Sequence, residues 1–250
     1  RYKGRPVGGI GHIGCFSLQG QKAVSGGEAG VAVTNDPELL DRMLLLGHFG
    51  RITHGEGSRT FDHLGDMGLG TKYRAHPFAI AMALETLRIL PKLNAGRTRC
   101  YAIFNDALRA IDGVEVIDPR EDTQRGGYLE FKFKVARAVA DRCDMDLLEK
   151  AFQAEGAPIT RDRYSTTNFT YGLIHRSPLF TTFDRRSLGG CFYDPVTYPG
   201  PPVEPPSLPV TEDVCTRLFG CYAFVDVEEA FLLQMAGAVR KVMANLGRLR

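Results

Sequence analysis

The chain has 250 residues, a formal net charge of +2 at pH 7, 44% hydrophobic residues and 24% charged residues. That length allows one large domain or two small ones with a real core. The near-neutral charge and scattered basic residues argue against nucleic acid or an anionic membrane as partner, and no apolar run approaches the ~20 residues of a membrane span.

In chain order, Gly9-Ile10-Gly11-His12-Ile13-Gly14 satisfies G-x-G-x-x-G. A dinucleotide fingerprint needs a strand before it and a helix after it. A strand pattern follows instead, so the run reads as a turn. Residues 13–18 and 31–34 are short, apolar and bounded by turn residues, which predicts two buried strands. Asp36-Pro37-Glu38 predicts a helix start, with Asp36 as N-cap, proline in the first turn and Glu38 near the positive end of the dipole. Residues 47–72 are polar and glycine-rich, a loop long enough to be functional. Phe78, Ile80, Ala81, Leu84, Leu87 and Leu90 have helical spacing. Pro91 predicts a break or kink, followed by a second long helix over 92–111 that crosses between domains.

Beyond Gly113 the pattern becomes α+β. Leu129, Phe131, Phe133 and Val135 alternate with Glu130, Lys132 and Lys134, as in a half-exposed strand. Residues 144–155 read as a helix ended by Gly156. Residues 161–209 are rich in aromatics, arginine, glycine and proline, and read as an extended loop region, either substrate-facing or a plain surface excursion. Seven prolines in 195–209 favour extended chain. A helix over 211–219, a strand over 222–225 and a helix over 227–246 complete the prediction.

The six cysteines form no CxxC pair and read as reduced thiols of a cytoplasmic protein. His48, His54, His63 and His76 cluster in sequence without a usual ligand spacing, so no metal is expected.

The segment with chemical promise is Cys15-Phe16-Ser17-Leu18-Gln19-Gly20-Gln21-Lys22, followed by Ser25-Gly26-Gly27-Glu28-Ala29-Gly30. A strand runs into a polar turn that presents one lysine, and a glycine-rich turn leads into the next strand. A lysine at a sheet edge, partly desolvated so that its neutral amine becomes accessible, suits Schiff-base chemistry. Its bland reading is a solvated loop lysine.

These residues resemble the lysine motif of the DegT/DnrJ/StrS-type aminotransferases, which use pyridoxal phosphate (PLP) on keto-sugars and cyclitol ketones. Phe16-Ser17-Leu18, Lys22, Gly27-Glu28-Ala29-Gly30 and Thr34-Asn35-Asp36 follow the pattern, with Ala29 where the family usually has glycine. Gly47-His48-Phe49-Gly50-Arg51 and Leu69-Gly70-Thr71-Lys72-Tyr73-Arg74 are similar to two further family segments, and Leu208-Pro209-Val210-Thr211-Glu212 to the entry of its last helices.

The resemblance implies an α/β fold, the PLP-dependent transferase fold type I (aspartate aminotransferase-like). Residues 1–91 would be the C-terminal part of the PLP-binding large domain. Residues 92–250 would be the interdomain helix and small α+β domain. It implies PLP as cofactor, Lys22 as the catalytic lysine, Ser17 as a phosphate donor, and Lys72 reaching a neighbouring subunit's phosphate in a homodimer. Gln19, Tyr164 and His175 are the substrate candidates. The reaction would move an amino group from glutamate or glutamine to a keto-sugar, nucleotide-linked keto-sugar or cyclitol ketone. Gln19 is reminiscent of members that aminate scyllo-inosose-type cyclitols with glutamine. Histidine in place of the lysine marks sugar dehydratases, so Lys22 argues against that variant. The resemblance also implies that Arg1 falls past the middle of the large domain, so residues 1–250 alone are expected to bind PLP weakly and to be inactive. The alternative function is a non-catalytic dimerisation or ligand-sensing module derived from the same fold.

Overall fold

The computed structural model describes residues 1–52, 57–64, 71–161, 173–176, 204 and 206–249. It divides into two compact units, one of residues 1–101, 118–129 and 223–226, the other of residues 102–117, 130–222 and 227–250.

The first unit is organised around a hairpin, β1 (Gly14–Ser17) and β2 (Gly30–Val33), paired antiparallel with Ser17 opposite Gly30. Helix α1 (Pro37–Gly47) follows β2, and the Asp36 carboxylate accepts from the backbone N–H groups of Glu38 and Leu39, as the N-cap reading requires. Both strands were expected to be buried, but Phe16, Val31 and Val33 are about 40% exposed (43%, 41% and 38%). Two strands make too small a sheet to cover their own faces, and the apolar run that suggested burial carries no information about what packs on it.

Helix α2 (Pro77–Arg109) is one element of 33 residues with Pro91 inside it. The expected pair of helices meeting at Pro91 is therefore a single helix. Proline removes one hydrogen bond of the ladder, and the helix-favouring residues on either side propagate through that loss. Residues up to Tyr101 belong to the first unit and residues from Ala102 to the second. In the first unit Tyr101 stacks on Tyr128 with ring centroids 4.8 Å apart, and the Arg125 guanidinium lies over both rings. No helix among the described residues is long and apolar enough to cross a membrane.

The second unit is built on a four-stranded antiparallel sheet. Its strands are β3 (Val114–Val116), β4 (Glu130–Val135), β5 (Thr160–Arg161) and β6 (Leu218–Tyr222), in the order β3-β4-β6-β5. Along β4 the predicted alternation holds, with Phe131, Phe133 and Val135 buried. A short helix α3 (Arg137–Ala140) follows, then α4 (Met145–Ala154), capped by the Asp144 carboxylate. Helices α5 (Pro209–Arg217) and α6 (Glu229–Met243) flank β6. Phe133, Phe152 and Phe219 are fully buried and meet as an aromatic cluster, with centroids 5.5 to 6.3 Å apart. The last strand starts four residues earlier than the sequence suggested, at Leu218 rather than Tyr222. Cross-strand pairing of Phe219 with Phe133 sets its register, and local propensity does not report such a pairing.

Arg217 is the buried cation among the described residues of this unit. It donates to Asp213 Oδ2, Glu115 Oε2 and the Val135 carbonyl. Hydrogen bonds from Arg217 hold both the Glu115 and Asp213 carboxyls below their usual range, and the same contacts hold the guanidinium above its own. For a lowered carboxyl, the stabilisation is full above the unfolded pKa, ~4, and is lost as pH falls through the folded value. Stability of the second unit is therefore expected to fall as pH drops below about 4. Urea denaturation followed by circular dichroism from pH 7 to pH 3 would show this acid limb, and Arg217→Met should flatten it. An equally steep limb in Arg217→Met would remove the carboxyls' link to Arg217. Cys221 faces the same interior, and burial pushes its thiol up to about 12, which rules it out as a nucleophile near neutral pH.

Candidate active site

The lysine turn lies at the end of the hairpin. Ser17 closes β1, and its Oγ accepts from the Gln19 backbone N–H at 3.3 Å. The Gln19 side-chain oxygen accepts from Gln21 N–H at 3.0 Å, and the Gln19 carbonyl accepts from Lys22 N–H at 2.8 Å. The Gln19 side-chain oxygen thus braces the turn that presents Lys22. On the return side Gly26 N–H donates to the Leu18 carbonyl at 2.8 Å, and Leu18 N–H donates to Ala29 O at 2.9 Å. These bonds close the loop on both flanks of Lys22. Gly27 takes φ +80°, the left-handed conformation that glycine adopts without strain.

Gly26 makes a close approach that the local sequence does not signal. A Cβ there would lie 2.6 Å from the Ala79 carbonyl oxygen, so the turn is seated directly on the first turn of α2. Gly26→Ala is expected to push the turn off that seat at a cost of about 1–3 kcal/mol. It should lower covalent PLP labelling of Lys22 while leaving the second unit's melting unchanged. Wild-type labelling in Gly26→Ala would show that the seat does not matter.

Lys22 is half-buried, and its ammonium has no ion-pair or hydrogen-bond partner among the described residues. Ser17 is exposed, and its hydroxyl hydrogen remains available for a ligand. These features fit one covalent tether and one phosphate contact of PLP, and the surface in front of Gly27 is open, with nothing within 4 Å of a Cβ built there.

The segment before α2 is pinned at two points. Thr71 Oγ1 donates to the Leu46 carbonyl, and Tyr73 N–H donates to Gly47 O at 2.8 Å. Lys72 stands between these anchors, exposed and without a partner among the described residues. Asp41, a second residue overlooked in the sequence, is 1% exposed and accepts from the backbone N–H and the hydroxyl of Ser58. It fastens the loop after α1. The only signal for it was an acid one helical turn before the buried Leu45.

Ser17, Gln19, Lys22 and Lys72 all belong to the first unit, and His175 to the second. His175 Nε2 lies 3.0 Å from Glu212 Oε1, and Arg176 pairs with the same carboxylate. Tyr164 lies outside the described residues.

With that geometry in hand, the comparisons with known proteins decide the family. The profile of the DegT/DnrJ/EryC1/StrS aminotransferase family matches residues 1–185. The chain belongs to this family. Among curated DegT/DnrJ/EryC1/StrS relatives, the L-glutamine:2-deoxy-scyllo-inosose aminotransferase of Streptoalloteichus tenebrarius is 28% identical over 260 residues, covering 100% of this chain and 57% of the relative. The L-glutamine:scyllo-inosose aminotransferase of Streptomyces griseus is 35% identical over 111 residues, covering 43% of this chain and 26% of the relative. The chain thus spans little more than half the length of the former. Among solved structures, DesI in the presence of its TDP-sugar product superposes with a TM-score of 0.68 at 23% identity, over 99% of this chain and 53% of DesI. 3-Amino-5-hydroxybenzoic acid synthase gives 0.70 at 18% identity, over 98% of this chain and 57% of the synthase. The fold is accordingly that of the PLP-dependent type I transferases, as the lysine motif implied.

Proposed function

We propose that this chain carries the lysine turn of a PLP-dependent aminotransferase acting on a cyclitol ketone, with glutamine as amino donor. The observation that carries the reading is the braced turn from Ser17 to Gly27, which holds a half-buried, unpaired Lys22 beside a serine hydroxyl. The ketone and the donor are taken from the names of the relatives, both of which are glutamine-dependent scyllo-inosose-type aminotransferases. Keto-sugars, free or nucleotide-linked, and glutamate remain within the reading.

When bound, PLP supplies the electron sink that makes a substrate C–H bond acidic. The residues supply the rest. Ser17 Oγ–H would donate to the phosphate. Lys22 Nζ would hold the cofactor, and its amine would serve as the base that moves the proton from the donor's α-carbon. Residues 1–91 would form part of the large domain, and residues 92–250 the interdomain helix and small domain. Tyr164 and His175 remain candidates for the substrate side. Gln19 remains a candidate as well, since the turn uses only its side-chain oxygen.

A homodimer with shared sites completes the reading. Lys72 is held outward between two anchors, where it can reach a neighbouring subunit's phosphate as a point charge. Phe78, Met82, Leu87 and Ile89 on α2 are each more than half exposed, an apolar surface of the kind that a protein contact covers. A cytoplasmic location agrees with the free cysteines among the described residues.

The test uses the protein that carries this chain, supplied with PLP, L-glutamine and 2-deoxy-scyllo-inosose. Formation of the amino-cyclitol, detected by mass spectrometry, is the expected result. Failure to aminate that ketone or any keto-sugar, with PLP demonstrably bound, would overturn the reading. Mixed Lys22→Ala and Lys72→Ala subunits should regain activity if sites are shared between subunits.

A further inference from the structure

We propose that the pocket between the middle turns of α2 and the segment 124–126 binds a small dicarboxylic acid, with Arg125 and Arg99 as its two cations. The site is separate from the lysine turn. No residue from Ser17 to Gly27 is among the described residues that line it, and the inference does not depend on the aminotransferase reading.

The pocket lies within the first unit and has a volume of about 680 Å³, which suits a small organic ligand. Its charge is of one sign. Arg1, Arg99 and Arg125 line it, and no described lining residue is acidic. Arg99 lies 3.5 Å from the carboxylate of Asp226, whose side chain is 94% exposed. Water screens such a pair, so it does little to neutralise the pocket.

Arg125 is held ready for a planar oxyanion. Its guanidinium lies 5.4 Å from the ring centroid of Tyr101 and 5.1 Å from that of Tyr128. Both rings are buried and stacked on each other, so they form a fixed platform. Stacking occupies the face of the guanidinium and leaves its N–H edges. One hydrogen bond goes to the Tyr101 side chain. Arg125 has no carboxylate partner among the described residues, and its remaining N–H groups match the two oxygens of a carboxylate.

Asn94 adds a neutral donor. Its Oδ1 accepts from Arg97 Nη1 at 3.5 Å, which turns the amide nitrogen away from Arg97. That Nδ2 is the atom that a Cβ on Gly126 would meet, at 3.6 Å, and both residues line the pocket. Arg97 is half-buried and has no ion-pair partner among the described residues. Burial holds its guanidinium below its usual value, so positive charge also stands uncompensated behind Asn94. Pro91 and Ala95 supply apolar surface. Two arginines and an amide against that surface describe an acid with a short apolar body and two carboxylates.

Calorimetric titration of the protein that carries this chain with glutarate, succinate and acetate tests this. None of the three has an amine or ketone, so none can enter amino transfer. At least one diacid should bind saturably, about tenfold or more tightly than acetate. Arg125→Lys keeps the charge but loses the flat fork, and should weaken diacid binding about tenfold or more. Arg99→Gln, a change at an exposed side chain, should bring the diacid down to the affinity of acetate. The ¹⁵Nε resonance of Arg125 should shift on saturation of the wild type. In Lys22→Ala, where no turnover occurs, the diacid should bind as it does to the wild type, and saturating L-glutamine should not displace it. Absence of saturable binding, equal affinity for acetate, wild-type binding in Arg125→Lys or Arg99→Gln, an unmoved Arg125 resonance, or displacement by L-glutamine would each overturn the proposal.

Discussion

Replacing Lys22 by alanine is expected to abolish amino transfer while leaving the fold intact. In the proposed mechanism that side chain is both the covalent attachment and the base that moves the proton, so the loss should be several orders of magnitude in turnover. The fold should tolerate the change because Lys22 contributes its backbone N–H to the turn, and that bond to the Gln19 carbonyl survives in alanine. Borohydride reduction of the PLP-loaded protein followed by peptide mapping checks the assignment directly. A reduced pyridoxyl group on Lys22, absent in Lys22→Ala, is the expected result. A label on any other lysine would remove Lys22 from the mechanism. Circular dichroism melts of the two proteins should coincide.

The largest effect on stability is expected from Phe219→Ala in β6. Its ring is fully buried, lies nearly parallel to Phe133 at 6.0 Å and stands edge-on to Phe152 at 5.5 Å. Truncation removes apolar burial, leaves a cavity among rings that are held in the sheet and helix α4, and loses two aromatic contacts. Such changes cost about 3–5 kcal/mol, a large share of the roughly 5–15 kcal/mol that holds a domain folded. Urea denaturation should show a much lower midpoint with nearly the same slope. Phe219→Leu, which keeps most of the volume, should lose distinctly less. A loss below about 1 kcal/mol in Phe219→Ala would mean that the cluster collapses around the gap. The substitution lies in the second unit, so labelling of Lys22 in folded protein should be unaffected.

Much of the local structure was legible from residue chemistry alone. Asp36 announced α1 because an N-cap carboxylate bonds the first free N–H groups within its own turn. Asp144 did the same for α4. The alternation along 130–135 identified the buried face of β4, since the strand period of two needs no partner to be read. The Lys22 turn was readable for a related reason. Its bracing bonds run between residues only two to eleven apart in sequence.

Features that depend on distant residues escaped. The start of β6 at Leu218 follows from pairing Phe219 with Phe133, which lies 86 residues earlier. The role of Gly26 follows from its seat on Ala79, a backbone contact that leaves no mark in composition. Pro91 predicts a break or kink because its local cost is visible in the sequence, whereas the continuity of α2 around it is not.

By itself, then, the sequence determined which residues cap, alternate and turn, and it placed one lysine in a serine- and glycine-bounded loop. All of these are decided by neighbours within a few positions. Only the tertiary structure decided that Gln19 braces that loop, that Asp41 fastens the segment after α1, and that His48, Arg51, Arg74 and His76 share a pocket. Those relations depend on where α1, the hairpin and α2 meet in space, and burial and close approach there arise from packing between segments that no single stretch of sequence encodes.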